Sequence, residues 1–198
     1  MKLKLLFTVL LFITLTAFKA DNLPPLFSSL LTRAQMTFVA PEGYTEVQPV
    51  QNGQMNYEYA LKYPGKNFEV RYAIRPLDTL LQQFLTEEKN KKPGDVNISP
   101  NKLYSALYKA TVLNIAGTGV LPQISAFDKT AVKNEFNADW GATSVCAPGG
   151  TFGKGYKYCL AIAIHKDNIG DAYCFYLGDN QQDMQSLIEP IFHALRFK

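Results

Sequence analysis

Few side chains in this sequence can act as nucleophile, base or soft metal ligand at neutral pH: two histidines, His165 and His193, and three cysteines, Cys146, Cys159 and Cys174. A cysteine nucleophile needs a neighbouring base or positive dipole to become a thiolate. Nothing adjacent to Cys146 in the sequence supplies one, so a Cys146–His165 pair could arise only through folding. His193 follows Glu189 by four residues and shares the polar side of a helical pattern with Gln182 and Gln185, which reads as a solvated surface. A zinc site would need close C-x-x-C or H-x-x-x-H spacing, and neither occurs. The adjacent Glu87 and Glu88 point to different sides of a helix and do not form a paired-carboxylate site. No catalytic residues, metal or cofactor are expected on these grounds.

The run Pro148-Gly-Gly-Thr-Phe-Gly-Lys-Gly155 invites comparison with a phosphate-binding loop, whose backbone N–H groups cradle an anion. The pattern fails at both ends. Pro148 stands where the first glycine belongs, Gly155 replaces the Ser or Thr that would hold magnesium, and strand-like sequence follows at Tyr156. The run therefore reads as a flexible connection before a hairpin.

Three cysteines cannot form a closed set of disulfides, and at most one internal bridge is possible. Cys159 lies on a small-residue side with Ala161 and Ala163, and Cys174 lies beside Ala172. These placements suit small core residues. In an oxidising compartment the alternatives are a Cys159–Cys174 bridge or one from Cys146 to a strand.

The elements that must position these residues follow from periodicity. Met36–Val39 is a short strand ended by Pro41 and Gly43. Tyr57, Tyr59, Leu61 and Tyr63 alternate with polar positions, and after Pro64-Gly65 the alternation resumes as Phe68, Val70, Tyr72 and Ile74 against Glu69, Arg71 and Arg75. That is an antiparallel hairpin with one apolar face. Leu77, Leu80, Leu81, Phe84 and Leu85 have helical spacing, with Asp78 at its start. Ser99-Pro100 opens a second helix that runs to Gly117. Ser125 to Asn137 gives a third, with Ser125 and Asp128 at capping-box spacing. Tyr156–His165 and Ala172–Leu177 form a second hairpin. A closing helix follows, with Met184, Leu187, Ile188, Ile191, Phe192 and Leu195 in one stripe, broken near Pro190 by the missing N–H. Hairpins interleaved with one-sided helices give an α+β fold, helices packed on an antiparallel sheet.

Lys2 and Lys4 precede an uncharged, mostly apolar run from Leu5 to Phe18, which has the length and flanks of a cleaved secretory signal peptide. Residues 1–20 are read as that leader and residues 21–198 as a single domain. Without the leader the chain carries 17 positive and 17 negative side chains. A neutral protein lacks the cationic surplus that displaces counterions from phosphates, so a nucleic-acid partner is not expected. No membrane anchor is expected in the mature chain.

The short strand running into Phe38-Val-Ala-Pro-Glu-Gly-Tyr44, the early hairpin, the central helices, the late hairpin and the closing Ile191-Phe-His-Ala-Leu-Arg-Phe197 together resemble the PsbP-like fold. That fold is shared by the lumenal photosystem II extrinsic protein and a nuclear import factor that binds the GTPase Ran. The resemblance spans residues 36–197 and rests on element order and these two motifs. It implies an antiparallel sheet sandwiched by helices, in a family whose members mostly bind or stabilise protein partners. With the leader, the neutral mature charge and the lack of an acid–base set, the chain reads as a secreted or periplasmic, non-enzymatic domain that binds a protein or envelope partner. The alternatives are a hydrolase with an unobvious site and a carrier of a small apolar ligand. It assigns no functional residue. From the sequence itself, the partner-binding candidates are Trp140, Phe152, Lys154 and Tyr156, because the segment joins aromatics to glycine-rich loop sequence. N-terminal sequencing of exported protein is expected to begin between residues 18 and 24, and an intact Met1 would overturn the leader assignment.

Overall fold

The structure is a computed structural model that describes residues 23–198, so the expected leader lies outside the described residues. In chain order the elements are α1 (Pro25–Arg33), β1 (Met36–Phe38), β2 (Thr45–Val47), β3 (Tyr59–Lys62), β4 (Phe68–Pro76), α2 (Asp78–Lys89), α3 (Tyr104–Ala116), β5 (Ile124–Ala126), α4 (Lys129–Phe136), β6 (Trp140–Cys146), α5 (Gly150–Gly153), β7 (Tyr158–Lys166), β8 (Gly170–Gly178), α6 (Gln181–Ile188) and β9 (Leu195–Phe197). Strands β2 to β8 form one seven-stranded antiparallel sheet in the order β2-β3-β4-β8-β7-β6-β5, and β1 pairs with β9 in a separate two-stranded ribbon. The fold is α+β, as expected.

Strand side chains alternate between the two faces, and here both faces are covered. One carries Phe68, Val70, Tyr72 and Ile74 of β4, Cys174 and Tyr176 of β8 and Ile162 and Ile164 of β7, packed with Phe27 of α1, Val132 and Phe136 of α4, Met184 and Ile188 of α6 and the β1–β9 ribbon. The other carries Ala142 of β6 and Cys159, Ala161 and Ala163 of β7, a floor of small residues beneath Tyr108, Val112 and Ile115 of α3, and beside it Tyr173, Phe175 and Leu177 of β8, where Phe152 of α5 packs on Phe175. The small floor lets α3 approach closely enough for the Tyr108 hydroxyl to donate to the Ala161 carbonyl at 2.8 Å.

Two-sided burial corrects the expectation that the β3–β4 hairpin has a single apolar face. Arg71 is fully buried and Glu69 nearly so. Arg71 Nε donates to Glu69 Oε1 at 2.6 Å and Arg71 Nη1 donates to the Phe152 carbonyl. Its guanidinium lies 4.8 Å from the centroids of both the Tyr57 and Phe152 rings, whose planes are nearly perpendicular. Ring faces offer negative potential to the cation, and Nη2 has no hydrogen-bond acceptor among the described residues. Tyr156 donates its hydroxyl to Glu69 Oε2 at 3.3 Å.

Other expectations are revised by tertiary pairing. Ser125 lies in β5, opposite Thr143 of β6, while Asp128 caps α4 alone by accepting from the Thr130 and Ala131 N–H groups. The segment after Trp140 is strand β6, not loop. Pro190 does end the closing helix: α6 stops at Ile188, a 3-10 turn spans Glu189–Ile191, and Leu195 and Phe197 then pair with Phe38 and Met36 as β9. Helix α2 contributes no buried residue, and its Leu80 and Leu85 are exposed. It is tied to α1 by the bidentate Arg33–Asp78 pair at 2.8 and 2.6 Å.

Breaking a buried ion pair strands an uncompensated charge. Glu69→Gln is therefore expected to destabilise the protein by about 3 kcal/mol, measured by chemical denaturation. The double variant Glu69→Leu, Arg71→Met should recover most of that loss, and Asp78→Asn at the surface should leave the melting temperature nearly unchanged. A Glu69→Gln variant that unfolds with the parent would show that the pair does not support the core.

Candidate functional site

Three of the sequence candidates, Phe152, Lys154 and Tyr156, gather around the buried Glu69–Arg71 pair, and Trp140 lies elsewhere, opposite His165. Phe152 is fully buried and Tyr156 nearly so. Phe152 packs edge-on against Phe175 and staples the glycine-rich segment onto the sheet, so neither ring offers a surface to a partner. The segment is a packed turn of helix and not a plain connection: a Cβ at Gly153 would lie 2.4 Å from the Pro148 carbonyl oxygen, and Gly150 has a φ of +56°, which favours glycine. Only glycine permits packing this tight. Lys154 remains exposed, in a left-handed conformation, with its Nζ 4.0 Å from Glu69 Oε2. Trp140 is half-buried against Tyr104.

A thiol–imidazole pair does not form. Trp140 is opposite His165 and Cys146 is opposite Cys159, so Cys146 and His165 lie at opposite ends of β6, separated by roughly 20 Å of strand rise. His165 has both ring nitrogens occupied, Nδ1 by Asp171 at 2.7 Å and Nε2 by Asp167 at 2.9 Å. Tyr104 stacks on its ring at 4.2 Å. Burial opposes the charged ring, but hydrogen bonds and charge from Asp171 and Asp167 outweigh it, and the imidazole pKa is raised above its usual value. With no free lone pair, His165 fastens the β7–β8 turn instead of moving protons. His193 is exposed, as expected, and meets Glu135 of α4 at 3.0 Å. Among the described residues no group of His, Cys, Asp and Glu side chains could hold a metal ion.

The site with binding geometry lies on the opposite face of the sheet from Arg71. Two glycines decide where the helices sit on that face. Gly178 of β8 leaves room for Met184, whose Cγ would be 2.6 Å from a Cβ there, so α6 lies down over β8. Gly141 of β6 receives Phe127 and Val132 at 2.8 and 2.9 Å from the corresponding position, so α4 seats on the start of β6. Between the two helices the sheet is uncovered around Val145 and Leu160, which are directly opposed in β6 and β7. The result is a groove of about 620 Å³ lined by Val145, Tyr158, Leu160, Met184, Ile188 and the polar rim of Gln181, Gln185 and Glu189. Gln181, Gln185 and Glu189 recur every four residues, as one edge of a helix does. Val145, 55% exposed, forms the open part of the floor. Such a concave apolar surface with a few polar groups is the usual form of a binding site. Sequence reasoning passed over it, because the exposed Val145 became visible only once β6 was a strand.

No protein-family model matches the sequence, and no curated protein is significantly similar to it. Among solved structures the chain is similar to the solution structure of cyanobacterial PsbP (CyanoP) from Synechocystis sp. PCC 6803, at 12% identity and a TM-score of 0.45, over 84% of this chain and 89% of that chain. The likeness is one of chain path. It bears the PsbP name to which the element order pointed, and no residue of either groove or core is transferred by it. No helix among the described residues is long and apolar enough to cross a membrane.

The raised His165 pKa fixes the sign of a pH effect. A group whose folded pKa exceeds its unfolded value, about 6.5 for histidine, contributes stability that is fully present below the unfolded pKa and is lost as pH rises through the folded pKa. The parent is therefore expected to melt at progressively lower temperature from mildly acidic to mildly alkaline pH, and His165→Asn should flatten that slope. A parent that gains stability over this range, with the variant unchanged, would refute the assignment.

Proposed function

We propose that this protein is an exported, non-enzymatic binding domain, residues 21–198 after removal of a 20-residue leader, that seats a segment of a partner polypeptide in the groove beside α6. The observation that carries the reading is the groove's composition: an apolar floor bounded by two amides and a carboxylate. Side-chain amides both donate to and accept from peptide groups, Val145 and Leu160 accommodate one apolar side chain, and Glu189 favours a basic residue next to it. The lining contains no cation, which disfavours the carboxylate of a fatty acid or an anionic headgroup. The neutral mature charge, inferred from the sequence, is in keeping with a protein partner. A carrier of small apolar ligands would be better served by an enclosed cavity than by one open at Val145.

Short peptides test this directly. In NMR titrations of the folded protein, a hexapeptide with one Leu beside a Lys is expected to shift the amide signals of Val145, Tyr158, Leu160 and residues 181–189. Replacing the peptide's Lys by Glu or its Leu by Ser should weaken the effect, and Glu189→Lys should reverse the charge preference while Val145→Asp abolishes binding. Both substitutions are at exposed positions and should melt within a few degrees of the parent. Shifts confined to other surfaces, or no shifts with any peptide, would sink the proposal.

A further inference from the structure

Cys146 closes β6 and lies directly opposite Cys159 of β7. Opposed residues of an antiparallel pair have Cα atoms about 4.5 or 5.5 Å apart, and both spacings fall inside the range of about 4.4–6.8 Å that a disulfide spans. The two side chains share the face covered by α3 and α5, and both thiols are free. Cys174 projects from the other face, into the cluster with Tyr72 and Tyr176, so the sheet itself separates it from Cys159. We propose that Cys146 and Cys159 are a redox-modification site that closes into a cross-strand disulfide in an oxidising compartment, with Cys146 attacking first, Cys159 resolving, and Cys174 left as the single free thiol.

The order of events follows from position and environment. Cys146 is 8% exposed and Cys159 fully buried, and Cys146 is reached from the end of the sheet, where β6 gives way to exposed Ala147. The hydrogen bond from the Cys159 thiol lowers the pKa of Cys146 against the opposing effect of burial. The same contact, followed by burial, raises Cys159 well above its ordinary value, with a smaller offset from the Arg71 guanidinium. Cys146 is thus the better thiolate, and a thiolate is the attacking species in exchange.

The step requires a disulfide oxidant, a small-molecule disulfide or the active-site disulfide of an oxidase. The Cys146 thiolate attacks one sulfur of that disulfide, forms a mixed disulfide and expels a thiolate, which takes up the proton released from Cys146. Cys159 then gives up its proton and attacks Cys146 Sγ, and the second expelled thiolate takes that proton. Two cysteine sulfurs are oxidised, one oxidant disulfide becomes two thiols, and two electrons have moved. The bridge encloses residues 147–158, which include α5 and the Phe152 staple over Arg71, and so ties that segment to the sheet.

The test uses the full mature protein, reduced and then equilibrated while folded with oxidised glutathione. It is then denatured in acid, alkylated and peptide-mapped by mass spectrometry. One alkylated thiol, at Cys174, with a linked Cys146–Cys159 peptide and a rise in melting temperature on the order of 5–10 °C, is the expected result. Cys174→Ala should then show no free thiol, and Cys146→Ala should show two, with no oxidant-dependent change in melting. Three alkylated thiols, a stable glutathione adduct at Cys146 that is never resolved, or a bridge involving Cys174 would each overturn the proposal. If Cys146→Ala does not fold, the thiol count and peptide map of the parent decide it alone.

Discussion

Burial of the central strands on both faces is the constraint on which the rest of this structure depends. Strand β8 and residues 68–74 of β4 have no solvated side, so every side chain along them must fit one of two cores. One core is built from large residues, Phe68, Tyr72, Tyr176 and their helical partners; the other has a small-residue floor. The asymmetry has a simple origin in packing density: α3 can lie close to the sheet only where alanine and cysteine replace larger groups. It also explains the buried Arg71. A charged residue in the second face of β4 must carry its partners into the core with it, and Glu69, the Phe152 carbonyl and two aromatic rings meet that need.

The residues richest in chemical potential are consumed by architecture. His165 bonds two carboxylates and stacks on Tyr104, Arg71 anchors the α5 segment, and the glycine-rich run is a packed plug and not an anion loop. In each case a side chain that could act on a substrate has its donors or its space already filled. What is left unfilled is a strip of sheet between α4 and α6, and the placement of those two helices is set by the absence of a Cβ at Gly141 and Gly178. The groove is therefore a consequence of backbone clearance at two points and of polar residues on the outer edge of α6. Its lining combines apolar area with two amides and a carboxylate.

Strand pairing also sorts the three cysteines, which the sequence could not do. Two positions thirteen residues apart become immediate neighbours because the turn between β6 and β7 holds α5, while Cys159 and Cys174, in adjacent strands, lie on opposite faces and three residues out of register, Cys174 facing Ile162. Side chains at successive strand positions alternate faces, so a one-residue difference in register separates partners from strangers.

The sequence by itself determined the elements whose periodicity is local. The β3–β4 and β7–β8 hairpins, the α2 and α3 helices, the glycine stop at Gly117 and the break at Pro190 each follow from spacing, turn residues or a missing N–H within a few positions. The fold class followed from their order. The tertiary structure alone decided whatever rests on a remote partner. Leu195 continues the helical stripe of Met184 to Phe192 but also alternates with Phe197 as in a strand, and pairing with β1 chose the strand. Ser125 and the β6 segment are short or rich in small residues, and the pairing of β6 with β7 and of β5 with β6 made them strands. Glu69 and Arg71 alternate like a solvated face, and only the arrival of α5 from far along the chain buried them. Val145 acquired a role for the same reason: a groove is a property of the space between elements, and periodicity describes elements one at a time.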